Sequence, residues 1–243
     1  RSLGRHYDRM AAQLAALMDG QRRLLHDVSH ELRSPLARLQ AAVGLARQQP
    51  ENTESSFDRI EREAERMNDL VGELLTLSRL EAGVQGPPPE AFDITELTAA
   101  VVEDARFEAS AQGRQVAYTA EGPAIVNGQA ELLHRAVENI VRNALRHTPE
   151  HSTIEVEVVR EAQRVRITVR DAGPGVPAAR VGEIFEPFVR MPGARSDGHG
   201  LGLAIARRVV ESAGGSISAR NRAEGGLAVE IVLPLAGDDT PLA

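Results

Sequence analysis

The sequence predicts an α+β protein in two parts, an antiparallel helical hairpin that dimerises as a four-helix bundle and, after it, an α/β sandwich. Three observations lead there. Apolar residues recur at intervals of three or four from Tyr7 to Leu80. A run of Gly83-Val84-Gln85-Gly86-Pro87-Pro88-Pro89 then punctuates the chain, and beyond it short alternating patterns are interleaved with helical ones.

From Tyr7 to Ala46 the spacing of Met10, Leu14, Leu17, Leu24, Val28, Leu32, Leu36, Leu39 and Val43 predicts one long helix. The break at Gln48-Gln49-Pro50-Glu51-Asn52-Thr53 ends it. A second amphipathic helix follows with Phe57, Ile60, Ala64, Met67, Val71, Leu74, Leu77 and Leu80. A lone two-helix hairpin leaves its apolar stripe in water, so pairing with a second copy is the economical arrangement, and a homodimer is expected.

Residues 83–91 read as an interdomain linker. Beyond it the pattern predicts a helix from Thr95 to Ala111, strands at Gln115 to Thr119 and Ala124 to Val126, and a helix from Gln129 to Arg146. Strands at Thr153 to Val159 and Arg164 to Arg170 come next, then a Gly-rich segment, a helix at Gly202 to Ser212, and closing strands at Ser216 to Ala219 and Ala228 to Leu233. The order describes a sandwich and not a Rossmann repeat.

Composition limits the function classes. With 42% hydrophobic residues but only 3% aromatic and no Trp, a core must rest on aliphatic side chains. A net charge of -7 with scattered Lys and Arg speaks against a general nucleic-acid binder. Zero Cys excludes disulfides, thiolate metal sites and a Cys nucleophile. No apolar run approaches the ~20 residues that span a bilayer. The chain begins with Arg1, inside a helical pattern that no cap precedes, which reads as part of a longer protein with room for a membrane anchor outside this sequence.

Chemistry concentrates in two places. His30-Glu31-Leu32-Arg33-Ser34-Pro35-Leu36 lies on the first helix, with Ser34 one turn from His30. Pro35 has no amide for the carbonyl of Glu31, so the helix is expected to bend or loosen beside the histidine. An imidazole there can attack a phosphoryl group through one nitrogen while the adjacent carboxylate handles the proton of the other. A surface histidine in a coiled coil would look similar, and His26, on the same face, reads as one.

The second place lies far along the chain. Asn139 and Asn143 are also one turn apart and bring two amide oxygens to one helix face, where magnesium bridging nucleotide phosphates can be held; exposed asparagines are the bland alternative. Asp171-Ala172-Gly173-Pro174-Gly175 ends a strand with a carboxylate able to accept from an exocyclic amine and glycines that let backbone pass close to a flat ligand, or is a plain turn. Gly198-His199-Gly200-Leu201-Gly202-Leu203 opens a helix whose free amides can meet phosphate. It lacks the Lys-Ser/Thr of a P-loop and the strand of a βαβ unit. Phe185-Glu186-Pro187-Phe188 and the stretch Met191 to Gly198 read as a mobile lid.

Taken in order, these motifs resemble those of the bacterial two-component sensor histidine kinases, from about Leu24 to Pro234. Ser29 to Leu36 is similar to the phosphoacceptor motif, and Asn139 to Asn143, Asp171 to Gly175, Phe185 to Phe188 and Gly198 to Leu203 are similar to the asparagine, first glycine, phenylalanine and second glycine motifs. The resemblance implies an ATP-binding domain of the GHKL (Bergerat) type, with ATP and Mg2+ as cofactors. His30 would be phosphorylated, with Glu31 as its acid/base partner. Ser34, where Thr is commoner, would keep the hydroxyl that positions water to dephosphorylate the partner. Asn139 and Asn143 would lie on the magnesium side, Arg146 near the phosphates, Asp171 at the adenine, and His147 where Tyr is frequent beside the nucleotide. Phe185, Gly173, Gly175, Gly198, Gly200, Leu201, Gly202 and Leu203 would complete the site.

By the same resemblance, residues 1–20 match the last helix of a HAMP signal-relay module, 21–82 the dimerisation and phosphotransfer hairpin, 92–236 the catalytic domain, and 237–243 a tail. The run from Gln21 to Leu39 is most similar to envelope-stress sensors of the CpxA type. The implied partner is a response-regulator receiver domain docking near His30, on positions such as Ala37 and Arg38 and the facing part of the second helix. The implied location is the cytoplasmic portion of an inner-membrane protein. Two rivals remain at this point, a GHKL-type ATPase without phosphohistidine and a non-catalytic signalling scaffold.

Overall fold

The computed structural model describes residues 26–48, 53–83, 87–191 and 198–237. Contacts among them separate into two units, divided between Gly72 and Glu73.

The first unit is the hairpin. Helix α1 occupies 26–48 and helix α2 Thr53–Glu81. The expected start of α1 at Tyr7 and the turn between the helices lie outside the described residues. Glu54 in the first turn of α2 and Arg79 in its last suit the helix dipole. Helix α1 is continuous through buried Pro35, where one rung of its ladder is missing because the Pro35 nitrogen has no proton to give the carbonyl of Glu31. Burial is sparse: Ala42 and Leu70 are enclosed, whereas Leu36, Leu45, Phe57 and Val71 stay exposed, Phe57 at 60%. Among the described residues, the apolar stripe read from the sequence is therefore only partly covered within one chain.

The second unit is a two-layer sandwich. Strands β2 (Gln115–Ala120), β4 (Thr153–Arg160), β5 (Arg164–Arg170), β7 (Leu227–Pro234) and β6 (Ser216–Asn221) form one sheet in the order β2-β4-β5-β7-β6, with β2 and β4 parallel and every other pair antiparallel. Strands β1 (Glu90–Asp93) and β3 (Ile125–Gly128) make a second, antiparallel pair. Helices α3 (Ile94–Ala111), α4 (Ala130–His147) and α5 (Gly202–Ser212) cover one face, α3 against α4 and α4 against α5.

Period-two alternation explains why one face is covered. Ile154, Val156 and Val158 of β4, Val165, Ile167 and Val169 of β5, and Val229, Ile231 and Leu233 of β7 are buried under Leu133, Val137, Ile140 and Val141 of α4 and Ile205 and Val209 of α5. The intervening residues face outward as a charged ladder, with Arg170 2.6 Å from Glu157 and Arg166 3.7 Å from Glu230. Asp93 caps α3 by accepting from Thr95 N at 2.9 Å and ties it to the sheet pair by accepting from Ala124 N at 2.9 Å.

Two elements depart from the sequence expectation. Strand β1 begins at Glu90, inside the stretch read as linker, because four residues after three prolines are too few to show alternation. A 3-10 helix, Ala178–Phe185, occupies the start of the segment read as irregular and buries Ile184 and Phe185. The last turns of α2 group with the sandwich, where Arg135 Nη1 donates to Thr76 Oγ1 at 2.9 Å. Among the described residues no helix is long and apolar enough to cross a membrane.

Candidate functional site

On the hairpin, His30 and Ser34 are exposed on α1 and Glu31 is half-buried. The imidazole of His30 stands 4.7 Å, ring centre to ring centre, from that of His26, tilted by 57°. Ser34 Oγ accepts from Arg38 Nη1 at 2.6 Å. Arg38 reaches across to α2 as well, Nε and Nη2 each donating at 2.9 Å to the two oxygens of Glu63. Glu63 is buried and also meets Arg66 Nη1 at 3.2 Å. The bond from Arg38 holds the Glu63 carboxyl below the usual carboxylate range, and Glu63 in return raises the Arg38 guanidinium. Arg38, expected on a docking surface, thus spends donors on α2 and on Ser34.

In the sandwich, one side of α4, one strand end and the entrance to α5 converge. Asn139 Nδ2 donates to Gly202 O at 3.1 Å, which joins the asparagine helix to the second glycine motif and leaves Asn139 Oδ1 as an acceptor. Asn143 is half-buried one turn further on. Glu138 turns to the groove between α3 and α4, 3.6 Å from Arg142.

Asp171, at the end of β5, is buried yet retains binding capacity. Its Oδ1 accepts from Gly173 N at 2.8 Å and from Leu227 N at 3.1 Å, so Oδ2 stays available to an incoming donor. Two residues that the motifs do not include brace this loop from β6 and just beyond it: Arg222 Nη1 donates to Asp171 O at 2.9 Å, and Asn221 exchanges two bonds with the backbone of Val176. A β-carbon at Gly173 would stand 2.8 Å from His147 O, so only glycine lets this loop pass the end of α4. Beside it the His147 imidazole is pushed down by burial, against the pull of the Asp171 carboxylate.

The entrance to α5 is built on the phenylalanine motif. Phe188 adopts φ of 61°, and its N–H donates to Gly200 O at 2.9 Å. Gly200 has φ of 75° and lies so near Phe188 that a β-carbon would sit 3.0 Å from its backbone. Leu201 is wholly buried as the N-cap of α5, Gly202 and Leu203 are half-buried in its first turn, and Gly198 packs beside the Arg146 guanidinium. Phe185 is buried, and Gly175 turns against Asn221. Residues 192–197, the middle of the expected lid, lie outside the described ones.

The asparagine, first glycine, phenylalanine and second glycine motifs therefore meet in one place within the sandwich. Glu63, Asn221 and Arg222 contribute to the two sites without having been read from the sequence, whereas Arg38 was read only as a docking position and His26 only as a surface histidine.

Comparison with known proteins matches residues 20–83 to the His Kinase A (phospho-acceptor) domain and 128–237 to the histidine kinase-, DNA gyrase B-, and HSP90-like ATPase family. Sensor histidine kinase CpxA of Escherichia coli K12 is 38% identical over 236 residues, 96% of this chain and 51% of that protein. The solved structure of the mycobacterial sensor histidine kinase MprB is 33% identical with a TM-score of 0.56, over 60% of this chain and 98% of that one. The chain belongs to the sensor histidine kinases. A third relative, histidine kinase ThkA solved in complex with response regulator protein TrrA, has a TM-score of 0.72 at 23% identity, over 88% of this chain and 61% of that one. This histidine kinase chain spans about half the length of the curated relatives it matches.

Proposed function

We propose that the chain transfers the γ-phosphoryl group of ATP to His30 and then to an aspartate of a response-regulator receiver domain, and that it also removes that group again. The observation behind this reading is the pairing, in one chain, of an exposed His30 flanked by Glu31 and Ser34 with a sandwich site where four nucleotide-type motifs meet.

In this reading ATP lies over Asp171, whose free oxygen accepts from the exocyclic amine of adenine, with His147, Gly173, Gly175 and Phe185 around the base. Gly198, Gly200, Leu201, Gly202 and Leu203 offer backbone at the start of α5 to the phosphates, and Arg146 faces their charge. The oxygens of Asn139 and Asn143 are hard donors one turn apart, the residues that would hold Mg2+. Bound there, the ion would neutralise phosphate charge.

The reaction needs positioning more than covalent help. One imidazole nitrogen of His30 bonds to phosphorus as the bond to the ADP oxygen breaks, and Glu31 receives the proton of the other nitrogen. Receiver transfer repeats the exchange with an aspartate oxygen as acceptor.

Exposed Leu36, Leu45, Phe57 and Val71 support burial of the hairpin against a second copy, giving a four-helix bundle. The relative solved with a response regulator supports a receiver domain as partner, and exposed His30 is the reason to seat it there, over Ala37 and the facing part of α2. Boundaries at 21–82 for the hairpin and 92–236 for the catalytic domain, a relay helix before them, and a membrane anchor elsewhere in the parent protein belong to the same reading.

Labelled ATP tests it. The wild type is expected to gain an acid-labile, base-stable label, His30→Gln to bind ATP without labelling, and Asn143→Ala to fail in both. Mixed dimers of the two variants then report whether transfer crosses between subunits. A label surviving in His30→Gln overturns the assignment.

A further inference from the structure

Arg38 lies outside the motifs, and its guanidinium alone links Ser34 of α1 to Glu63 of α2. Glu63 takes Nε and Nη2 at 2.9 Å each, the forked geometry that fixes the plane of an arginine. The third donor, Nη1, is then aimed from that plane at Ser34 Oγ, 2.6 Å away. Burial of Glu63 and its bond from Arg66 hold the far end of the fork. The direction of the Ser34 oxygen is thereby set from the other helix.

Serine needs such a setting more than threonine does. An exposed serine has three staggered wells open to its hydroxyl, subject to the helix, while the second branch of threonine narrows the choice at Cβ. A hydroxyl offers one proton and two lone pairs. With one pair held by Arg38, a single pair is left to accept from water in a fixed direction.

We propose that Arg38, locked on Glu63, is a positioning residue for dephosphorylation, holding the Ser34 hydroxyl in the one orientation that directs water at the receiver's aspartyl phosphate. This rests on the phosphatase part of the proposed function. In the step, the water oxygen bonds to phosphorus, the bond from phosphorus to the aspartate oxygen breaks with its electron pair going to the carboxylate, and the water proton leaves with phosphate or solvent. Arg38 and Ser34 are unchanged at the end.

The test uses the whole chain and a receiver domain that it labels from ATP, charged on its aspartate with acetyl phosphate. Phosphate release, autophosphorylation at His30 and transfer to the receiver are measured together. Arg38→Ala and Glu63→Gln are expected to lower the phosphatase kcat about tenfold, the scale of one lost hydrogen bond. KM for the charged receiver is expected to change less than kcat, and autophosphorylation at His30, which needs no receiver, to stay within about twofold. Ser34→Thr added to Arg38→Ala is expected to recover most of the loss, because the methyl group restores the rotamer limit that the arginine supplied.

If all three activities fall together, or threonine recovers nothing, the pair merely fastens the helices and the proposal is overturned. A rise in KM instead of a fall in kcat assigns Arg38 to docking and also overturns it. A wild type that releases no phosphate defeats the phosphatase reading itself, whereas release that Arg38→Ala and Glu63→Gln leave intact defeats only this proposal.

Discussion

The hairpin and the sandwich carry their chemistry in opposite ways. His30, Glu31 and Ser34 lie within two turns of one helix, exposed or half-buried, and little of that unit's core depends on them. Asp171, Gly173, Gly200 and Asn139 come from segments far apart in sequence and are held by buried backbone, so site and core are made of the same bonds. On the proposed function, reactivity is expected to be removable from the first without touching the fold. In the second, function and stability are expected to fall together.

The largest effect expected from this contrast is at Asp171. Removing its carboxylate in Asp171→Ala strands the amides of Gly173 and Leu227, a cost of about 2–3 kcal/mol, together with loss of measurable ATP binding. Calorimetry and denaturant unfolding check the two halves of that statement, and the hairpin variant His30→Gln should show neither change. Stability retained in Asp171→Ala would break the contrast.

Gly200→Ala comes next. A side chain at φ of 75° against the Phe188 backbone should cost about 1–2 kcal/mol. It should also weaken ATP binding through the displaced entrance to α5, as a titration of nucleotide against the purified variant would reveal.

The smallest effect is a pH dependence. Burial lowers the His147 pKa in the folded protein below the ordinary histidine value near 6.5. The unfolded chain therefore protonates first as pH falls. Stability is complete above about pH 6.5 and declines as pH drops through that value toward the folded pKa. Urea midpoints at a series of pH values from neutral downward should show the decline, and His147→Gln should flatten it.

The same contrast governs what could be read from the sequence. Helix α5 was legible to the residue, Gly202–Ser212, and β5 likewise at Arg164–Arg170, because apolar periodicity and glycine punctuation are local signals. Strand β1 was not, since Glu90–Asp93 owes its existence to pairing with β3 across more than thirty residues. Asn139, Asp171 and the glycines announced themselves by residue type and order. Arg222 and Asn221 did not, because an arginine or asparagine near the end of a strand is ordinary until the fold brings it to Asp171 or Val176. Arg38 read as an exposed docking position for the same reason: its partner, Glu63, is on another helix.

One bond described above bears on how such a protein can change. Because Leu227 N–H and Gly173 N–H share a single oxygen of Asp171, the group proposed to recognise a base also rivets the start of β7 to the end of β5. A variant that favours a different nucleobase is thus barred from the obvious substitution at 171. It must find its new preference among the surrounding side chains, with the carboxylate left in place as masonry.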